Sequence, residues 1–134
     1  MTNKFEYTTA TDEDIEGIYD LLKSVEMHYD LNVTILKRML KISGDLMLVA
    51  RTNEQVIGVL IAAFNGDSVM LSHLAVIPDF QNSGVGSALE KILEERAKKI
   101  GARQILVDAK IDAGRFYRKK GFRLPGSIFM LKKL

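Results

Sequence analysis

The stretch that decides the fold covers residues 74–86 and reads Leu74-Ala75-Val76-Ile77-Pro78-Asp79-Phe80-Gln81-Asn82-Ser83-Gly84-Val85-Gly86. It joins an apolar run over residues 69–77, which predicts a strand, to an amphipathic pattern that predicts a helix. The N–H groups of a first helical turn lack partners, and the aligned peptide dipoles add about half a positive charge there. Two glycines remove Cβ atoms where a ligand would approach. The junction therefore predicts a phosphate site, although glycine pairs before helices also form ordinary turns.

A second block follows a later strand-like run and reads Ala113-Gly114-Arg115-Phe116-Tyr117-Arg118-Lys119-Lys120-Gly121-Phe122. In this order, the two blocks resemble the signatures of the GNAT superfamily of N-acetyltransferases. The first is a strand ending in L-x-V, a proline turn and Q/R-x-x-G-x-G/A, and the second is A-x-x-F-Y-x-x-x-G-F. With the order of the elements around them, the blocks extend the resemblance over nearly the whole chain. The resemblance implies transfer of an acetyl group from acetyl-CoA to a primary amine.

Length and composition predict one soluble domain over residues 1–134. The chain has 134 residues, of which 47% are hydrophobic and 27% are charged, a globular balance. No apolar stretch reaches the ~18 residues that a membrane span requires, and the N-terminus lacks the features of a secretory signal. We therefore expect a cytoplasmic N-acetyltransferase domain that does not bind membranes.

The charge balance and the cysteine content limit the ligands and reaction mechanisms that this protein can use. The chain has no cysteine, which excludes disulfides, thiolate metal sites and an acyl-cysteine intermediate. Its 19 basic and 17 acidic residues give a net charge of +2, too even a balance for a nucleic-acid-binding protein. We expect acetyl-CoA as the acyl donor, no metal, and direct attack by the amine in a ternary complex.

The periodicity predicts the order β-α-α-β-β-β-α-β-α-β, an α/β sandwich with a mixed, mostly antiparallel sheet. The predicted strands cover residues 5–9, 46–50, 56–64, 69–77, 104–108 and 127–131, and the predicted helices cover residues 15–25, 33–43, 85–100 and 112–119. Asn65-Gly66 predicts a tight hairpin, and the strand-helix-strand unit over residues 69–107 predicts a parallel pair. An exposed last strand can pair across a dimer, so the protein is expected to be a monomer or a homodimer.

The resemblance also implies where acetyl-CoA binds. The pantetheine arm would contact the backbone of Leu74, Ala75 and Val76, at an edge that opens only if the fourth and fifth strands splay apart. The side chains of Leu74 and Val76 also fit ordinary core positions. The two roles are compatible, because contact with the pantetheine arm would use only their backbone N–H and C=O groups. The pyrophosphate would rest on the loop and first helical turn, formed by Gln81, Asn82, Ser83, Gly84, Val85, Gly86 and Ser87.

Three residues are candidates for catalysis. Tyr117 stands at the tyrosine position of the family, and a phenol of pKa about 10 can return a proton to a thiolate; the alternative is a packed aromatic with a satisfied hydroxyl. The Val76 N–H is the candidate oxyanion donor. Ser72 shares strand parity with Val76 and is the candidate proton relay, whereas His73 points to the opposite face and is interpreted as structural.

The acceptor amine is predicted to bind at the break between the first two helices, where Glu26, Tyr29 and Asp30 supply polar groups; plain surface charge is the alternative. Two positions depart from the family: Lys110 replaces a common asparagine, and Gln81 replaces the commoner arginine. The sequence leaves the acceptor open. A non-catalytic acyl-CoA-binding sensor or interaction domain is the alternative function, while a P-loop hydrolase is excluded because no Gly-Lys-Ser/Thr follows the glycines.

Overall fold

The computed structural model describes residues 5–27 and 30–134 of the chain. The strands are β1 (Glu6–Thr9), β2 (Met47–Thr52), β3 (Gln55–Phe64), β4 (Ser68–Val76) and β5 (Gln104–Val107). The helices are α1 (Ile15–Ser24), α2 (Val33–Ser43), α3 (Val85–Lys99) and α4 (Gly114–Lys119). No helix in the described ranges is long and apolar enough to cross a bilayer.

The five strands form one mixed sheet in the order β1-β2-β3-β4-β5. The β1–β2, β2–β3 and β3–β4 pairs are antiparallel, and the β4–β5 pair is parallel. The predicted fold class, a mixed and mostly antiparallel sheet in an α/β sandwich, is confirmed. The helical crossover from β4 through α3 to β5 is what makes the last pair parallel.

Alternation along the strands divides the core into two layers. In β2, Leu48 and Ala50 pack on the side of α3, whereas Met47 and Val49 pack on the side of α1 and α2. Successive strand residues point to opposite faces, so an apolar run with both faces covered reads as continuously hydrophobic. Burial of each large aliphatic side chain in these layers contributes about 1.5–3 kcal/mol.

Gly58 of β3 allows α3 to lie close to the sheet. A Cβ at this position would be 3.0 Å from Val85 Cγ1 and 3.3 Å from Leu89 Cδ1, tighter than ordinary packing. Gly58 pairs with Val76 of β4, so the start of α3 lies over the end of β4. This contact places the glycine loop, residues 81–87, beside the C-terminal end of β4.

The predicted hairpin at Asn65-Gly66 forms between β3 and β4. The Asn65 N–H donates to the Ser68 carbonyl over 3.1 Å, and the Asn65 Oδ1 atom accepts from the N–H groups of Asp67 and Ser68, both at 2.9 Å. The turn therefore depends on the asparagine side chain as well as on the glycine. The turn fixes the register of β4 against β3, and with it the position of the C-terminal end of β4.

The parallel pairing between β4 and β5 ends halfway along β4. Residues 68–71 pair with Gln104–Val107, and the last contact joins the Asp108 N–H to the Leu71 carbonyl at 3.4 Å. Ser72 is then skipped in the register with β3, because Ile61 pairs with His73 and Ala62 with Leu71. Such a bulge bends a strand. We call residues 68–71 the paired half of β4 and residues 72–76 its open half.

The C-terminal segment differs from its prediction. The sequence predicts a strand over residues 127–131, but in the structure this segment has no regular secondary structure and is not part of the sheet. Its apolar side chains are exposed: Ile128, Phe129, Met130 and Leu131. A run of apolar residues favours a strand, but a strand also requires pairing with a neighbour, and this segment pairs with no strand of the described sheet.

Candidate active site

The open half of β4 presents backbone groups away from β3. The Ile77 N–H donates to the Ile57 carbonyl of β3 over 2.9 Å. The backbone groups of neighbouring strand residues face opposite sides, so those of Leu74 and Val76 face the side that β5 has left. The Val76 carbonyl accepts a hydrogen bond from Gln81 Nε2 at 3.0 Å on that side. The same alternation turns the backbone of Ala75 toward β3, so Ala75 does not present its amide to this edge.

The loop after β4 presents a second group of amides. The Gln81 N–H donates to the Pro78 carbonyl over 3.2 Å, so Gln81 is not part of this group, and its side chain is bound to Val76 instead. The first helical hydrogen bond of α3 runs from the Ala88 N–H to the Gly84 carbonyl. Among the described residues, no backbone acceptor is paired with the N–H groups of Asn82, Ser83, Gly84, Val85, Gly86 and Ser87.

The conformation of this loop suits an anion. Gly84, at the N-cap of α3, has a φ of 90°, a conformation that L side chains rarely adopt, and an added Cβ would meet nothing within 4 Å. The first turn of α3 carries no acidic side chain. The Ser83 hydroxyl donates to the Phe80 carbonyl and tightens the loop. Free amides, the helix dipole and open space together fit a diphosphate.

A cavity of about 80 Å³ lies between the open half of β4 and the chain that leaves β5. It is the direct result of the divergence of the two strands. Its walls come from β4, from the segment after β5, from α4 and from the break between α1 and α2. The lining residues are Met27, Leu71, Ser72, His73, Leu74, Val107, Asp108, Ala109, Lys110, Ala113 and Tyr117.

Tyr117 brings a phenol to this cavity from α4. Its side chain is 8% exposed and packs edge-on against Phe116 at 5.0 Å and Phe122 at 5.4 Å between ring centroids. Burial, with a smaller contribution from the charge of Glu90, raises the pKa of Tyr117 to about 12. Tyr117 is therefore a protonated phenol throughout the neutral range, and can act there as a donor.

The bulge at Ser72 changes the parity that the sequence analysis assumed. Leu71 and Leu74 both pack on the α3 side of the sheet, although they are three residues apart. Ser72 lies between them as the extra residue, and its Oγ atom donates to the Ile61 carbonyl over 3.2 Å. Its hydroxyl is thus held by β3 while the residue lines the cavity. Because of the bulge, Ser72 does not share one face of the strand with Leu74 and Val76, as strand parity had predicted.

His73, which the sequence analysis interpreted as structural, also lines the cavity. Its Nδ1 atom lies 2.9 Å from Ser72 Oγ. Burial lowers the pKa of His73, and the nearby Asp108 carboxylate acts in the opposite direction. The imidazole is therefore neutral near pH 7 and able to accept a proton. The signal in the sequence was the polar pair Ser72-His73 that interrupts an otherwise apolar strand.

The predicted acceptor residues lie apart from the cavity walls or outside the described residues. Glu26 is exposed, and Asp30 is exposed and bound to Lys133 Nζ at 3.2 Å. Tyr29 lies outside the described residues. From this break in the helices, it is Met27 that lines the cavity. Within residues 5–27 and 30–134, no group of three or more His, Asp and Glu side chains is arranged to hold a metal ion.

Comparison with known proteins identifies a family. The sequence model of a family described as "Acetyltransferase (GNAT) domain" matches residues 9–132 of the chain. Among curated proteins, no sequence matched this chain closely enough to count as a relative.

Solved structures share the fold at low sequence identity. Ard1 from Thermoplasma volcanium superposes with a TM-score of 0.84 at 19% identity, over 91% of this chain and 84% of that one. An aminoglycoside N-acetyltransferase, AAC(6')-Iy, in complex with CoA gives a TM-score of 0.80 at 17% identity, over 99% and 97%. A ribosomal-protein-alanine N-acetyltransferase from Brucella melitensis biovar Abortus 2308 gives 0.77 at 17%, over 97% and 100%.

Proposed function

The chain belongs to the GNAT acetyltransferases, and from this premise we propose that it is an N-acetyltransferase that uses acetyl-CoA to acetylate a primary amine by direct attack. One observation carries the proposal: Leu74, on the unpaired edge of β4, lines the same cavity as Tyr117, and Val76 of that edge lies beside the first turn of α3, where a Cβ on Gly86 would be 3.9 Å from Val76 Cγ2. The solved AAC(6')-Iy structure, which shares the fold, holds CoA. We propose that residues 1–134 form one such domain, and a cytoplasmic location stays a prediction.

The chain's own groups divide the binding of acetyl-CoA between two sets of amides. The N–H groups of residues 82–87 would hold the pyrophosphate, and the backbone of Leu74 and Val76 would hold the pantetheine arm as an added strand does. When bound, acetyl-CoA supplies a thioester with a thiolate as its leaving group. Gln81 and Ala75 are not expected to contribute amides, because the amide of Gln81 is bonded to Pro78 and that of Ala75 faces β3.

Three groups then have roles in the transfer. The Val76 N–H would stabilise the oxyanion that forms at the thioester carbonyl. Tyr117 would donate a proton to the departing sulfur. His73 would accept the proton of the amine: if the Ser72 hydroxyl donates to the Ile61 carbonyl, Ser72 Oγ accepts from His73 Nδ1–H, which leaves Nε2 as the basic atom. Ser72 would thus fix the tautomer and not relay the proton itself.

Calorimetry with acetyl-CoA and with CoA tests the binding step. We expect saturable binding of both, and the absence of binding of either at high micromolar concentration would overturn the proposal. A screen of acceptor amines with detection of free CoA thiol then tests the reaction. Tight binding of CoA with no turnover on any amine would favour a non-catalytic acyl-CoA sensor.

Tyr117→Phe tests the proposed acid. We expect kcat to fall about 10²-fold while the Kd for CoA is unchanged, because only the proton donor is lost. Tyr7→Phe is the matched control, since it removes a phenol from β1 and leaves the cavity intact. Equal turnover of Tyr117→Phe and the native protein between about pH 6 and 9 would remove Tyr117 from the mechanism.

A further inference from the structure

The segment that leaves β5 carries two opposite charges to the wall of the cavity. Asp108 and Lys110 both line the cavity, and both are exposed. Among the described residues, neither side chain forms a salt bridge, although the two lie only two positions apart. The transfer steps above assign no role to either residue. A carboxylate and an ammonium at the cavity wall are therefore both available to a ligand.

Alternation along this segment shows which way the two charges point. Val107 and Ala109 pack against the core layer on the α3 side of the sheet. Lys110 still has an extended backbone, with a φ of -61° and a ψ of 148°. Successive residues of an extended chain point to opposite faces. The side chains of Asp108 and Lys110 therefore point to the other side of the sheet, that of α1 and α2.

His73 lies on this same side of the sheet. It pairs with Ile61 of β3, which packs in the layer beneath α1 and α2, and residues directly opposite in a sheet share a face. Met27, from the break between these helices, packs against the same layer and lines the cavity. Tyr117 and Leu74 belong to the layer on the α3 side. The cavity thus has an α3 side for acetyl-CoA and an opposite side, with the proposed base, for the acceptor.

Asp108 is held close to the proposed base. Its N–H donates to the Leu71 carbonyl over 3.4 Å, which places it beside the bulge that precedes His73. Burial lowers the pKa of His73, and the Asp108 carboxylate opposes this effect. Two residues of extended chain span roughly 6–7 Å, so Lys110 lies one small group beyond Asp108. An ammonium that reaches His73 therefore meets Asp108, with Lys110 beyond it.

We propose that the acceptor is a free α-amino acid, with its ammonium on Asp108 and its carboxylate on Lys110. The inference rests on the proposed function and names the substrate class of the same site. The nitrogen–carbon bond forms as the carbon–sulfur bond breaks, and the products are an N-acetyl amino acid and the CoA thiol. The ammonium gives up two protons in all. His73 accepts one and releases it to solvent, and the other replaces the proton that Tyr117 gives to sulfur.

The charges and the size of the cavity disfavour other classes of amine. The N-terminus of a peptide has an ammonium, but the next group is a neutral amide, which leaves Lys110 without a partner. A polyamine would bring a second cation against Lys110. The cavity volume is about 80 Å³, room for only a few groups of the size of water. A small zwitterion matches both charges and fits this space.

Kinetics of the native protein with the common amino acids and with their carboxamides test the proposal. The carboxamide keeps the amine and the side chain but has no carboxylate. We expect at least one amino acid to have a kcat/KM about 10-fold above that of its carboxamide, because a hydrogen bond between charged groups is lost. Carboxamides that react as well as the amino acids, or acetylation only of amines without a carboxylate, would overturn the proposal.

Variants of the two charged residues should have different effects. Lys110→Gln should make the amino acid and its carboxamide equally good, and Lys110→Glu should reverse the preference. Asp108→Asn should raise the KM for both acceptors about 10-fold, because both carry the ammonium, while the KM for acetyl-CoA stays within about twofold. A lower kcat with a native acceptor KM would show that Asp108 acts only through His73, and would overturn the ammonium site.

Asp112→Asn and Lys119→Gln are the matched controls, because both residues are exposed on the same segment of chain and neither lines the cavity. Both controls should keep the native preference. Calorimetry of the best amino acid with the CoA-saturated protein measures the same preference without turnover, and equal binding of its carboxamide would overturn the proposal. If the native protein binds no CoA and acetylates nothing, the proposed function fails, and this inference fails with it. Acetylation of amines without any preference for a carboxylate would overturn the substrate class alone.

Discussion

The two halves of β4 have the same neighbours on one side and differ on the other. The paired half is bonded to β3 and β5, and its Val69 and Leu71 side chains are fully buried. The open half is bonded to β3 alone, and most of its residues are only half-buried. One apolar run of sequence thus supplies a core strand and, five residues later, an edge with free amides. The difference shows that the site forms because the pairing of β5 with β4 ends at Val107.

The largest expected effect breaks the open edge itself. Val76→Pro removes an N–H that faces away from β3 and fills its place with the ring, so the ladder to β3 is kept. We expect a folded protein whose kcat is lower by about 10²–10³, the usual cost of losing an oxyanion donor. Steady-state kinetics and circular dichroism measure the two quantities.

Ala75→Pro is the matched control, because the Ala75 amide faces β3 and its loss breaks the ladder. That variant should be strongly destabilised. Native turnover in Val76→Pro, or equal damage to the fold in both variants, would show that the two amides do not face opposite sides.

The next effect contrasts the cores beneath the two halves. Leu71→Ala in the paired half should lower the free energy of unfolding by about 2–5 kcal/mol, because a fully buried side chain leaves a cavity. Leu74→Ala in the open half should cost less, about 1–2 kcal/mol, because Leu74 is only half-buried. Urea unfolding of both variants measures the difference. A larger loss for Leu74→Ala would contradict the assignment of the halves.

The third prediction concerns acids at the opposite ends of the β4–β5 pair. Glu90 lies on α3 near the open half, and its pKa is raised from 4.5 to about 8. Its neutral form stabilises the fold below about pH 4.5, and this contribution is lost as the pH rises through about 8. Glu90→Gln should therefore flatten the pH dependence of unfolding above pH 4.5 and add about 1–3 kcal/mol at pH 9.

Asp67 shows the opposite sign at the paired end. Its hydrogen bond with Arg103 is the largest cause that lowers the pKa of Asp67, to about 2. The contribution of ionised Asp67 to folding stability is fully present above pH 3.8 and is lost as the pH falls through about 2. Stability curves of Glu90→Gln and Asp67→Asn that diverge from the native protein on the same side of neutrality would contradict this pair of assignments.

The smallest expected effect is that of Asp67→Asn at neutral pH. The Arg103 guanidinium binds both carboxylate oxygens of Asp67 at 2.9 Å and closes the paired end, but both side chains are exposed. Exposed ion pairs contribute little and are screened by salt. We expect a small drop in the melting temperature that disappears at about 1 M salt. A drop in melting temperature as large as that of Leu71→Ala would contradict the expectation that this exposed ion pair contributes little to stability.

Local patterns were enough to predict most of the fold and the position of the glycine loop. The strands and helices follow from alternation and helical periodicity, and the free amides at the start of α3 follow from the glycines at 84 and 86. The predicted splay is also present. The bulge at Ser72, where the β4–β5 pairing ends, was not predictable, because a bulge is a property of the pairing with β3 and not of β4 alone.

The remaining differences share this origin in tertiary contacts. His73 lines the cavity directly after the bulge, whereas simple parity assigned it to the opposite face and a structural role. Glu90 is buried, although it lies outside the apolar stripe of α3, and its burial depends on tertiary packing that helical periodicity does not report. The segment over residues 127–131 is apolar, as a strand is, but it pairs with no strand of the described sheet.

Backbone amide NMR during titration with CoA tests the central claim most directly, because the claim is about individual N–H groups. We predict saturable shifts at Leu74 and Val76 and at residues 82–87, with little change at Ala75 and in the strand ladder at Val49 and Val59. Shifts confined to other surfaces, or Ala75 responding as strongly as Val76, would contradict the account that the open half of β4 and the start of α3 form the binding site.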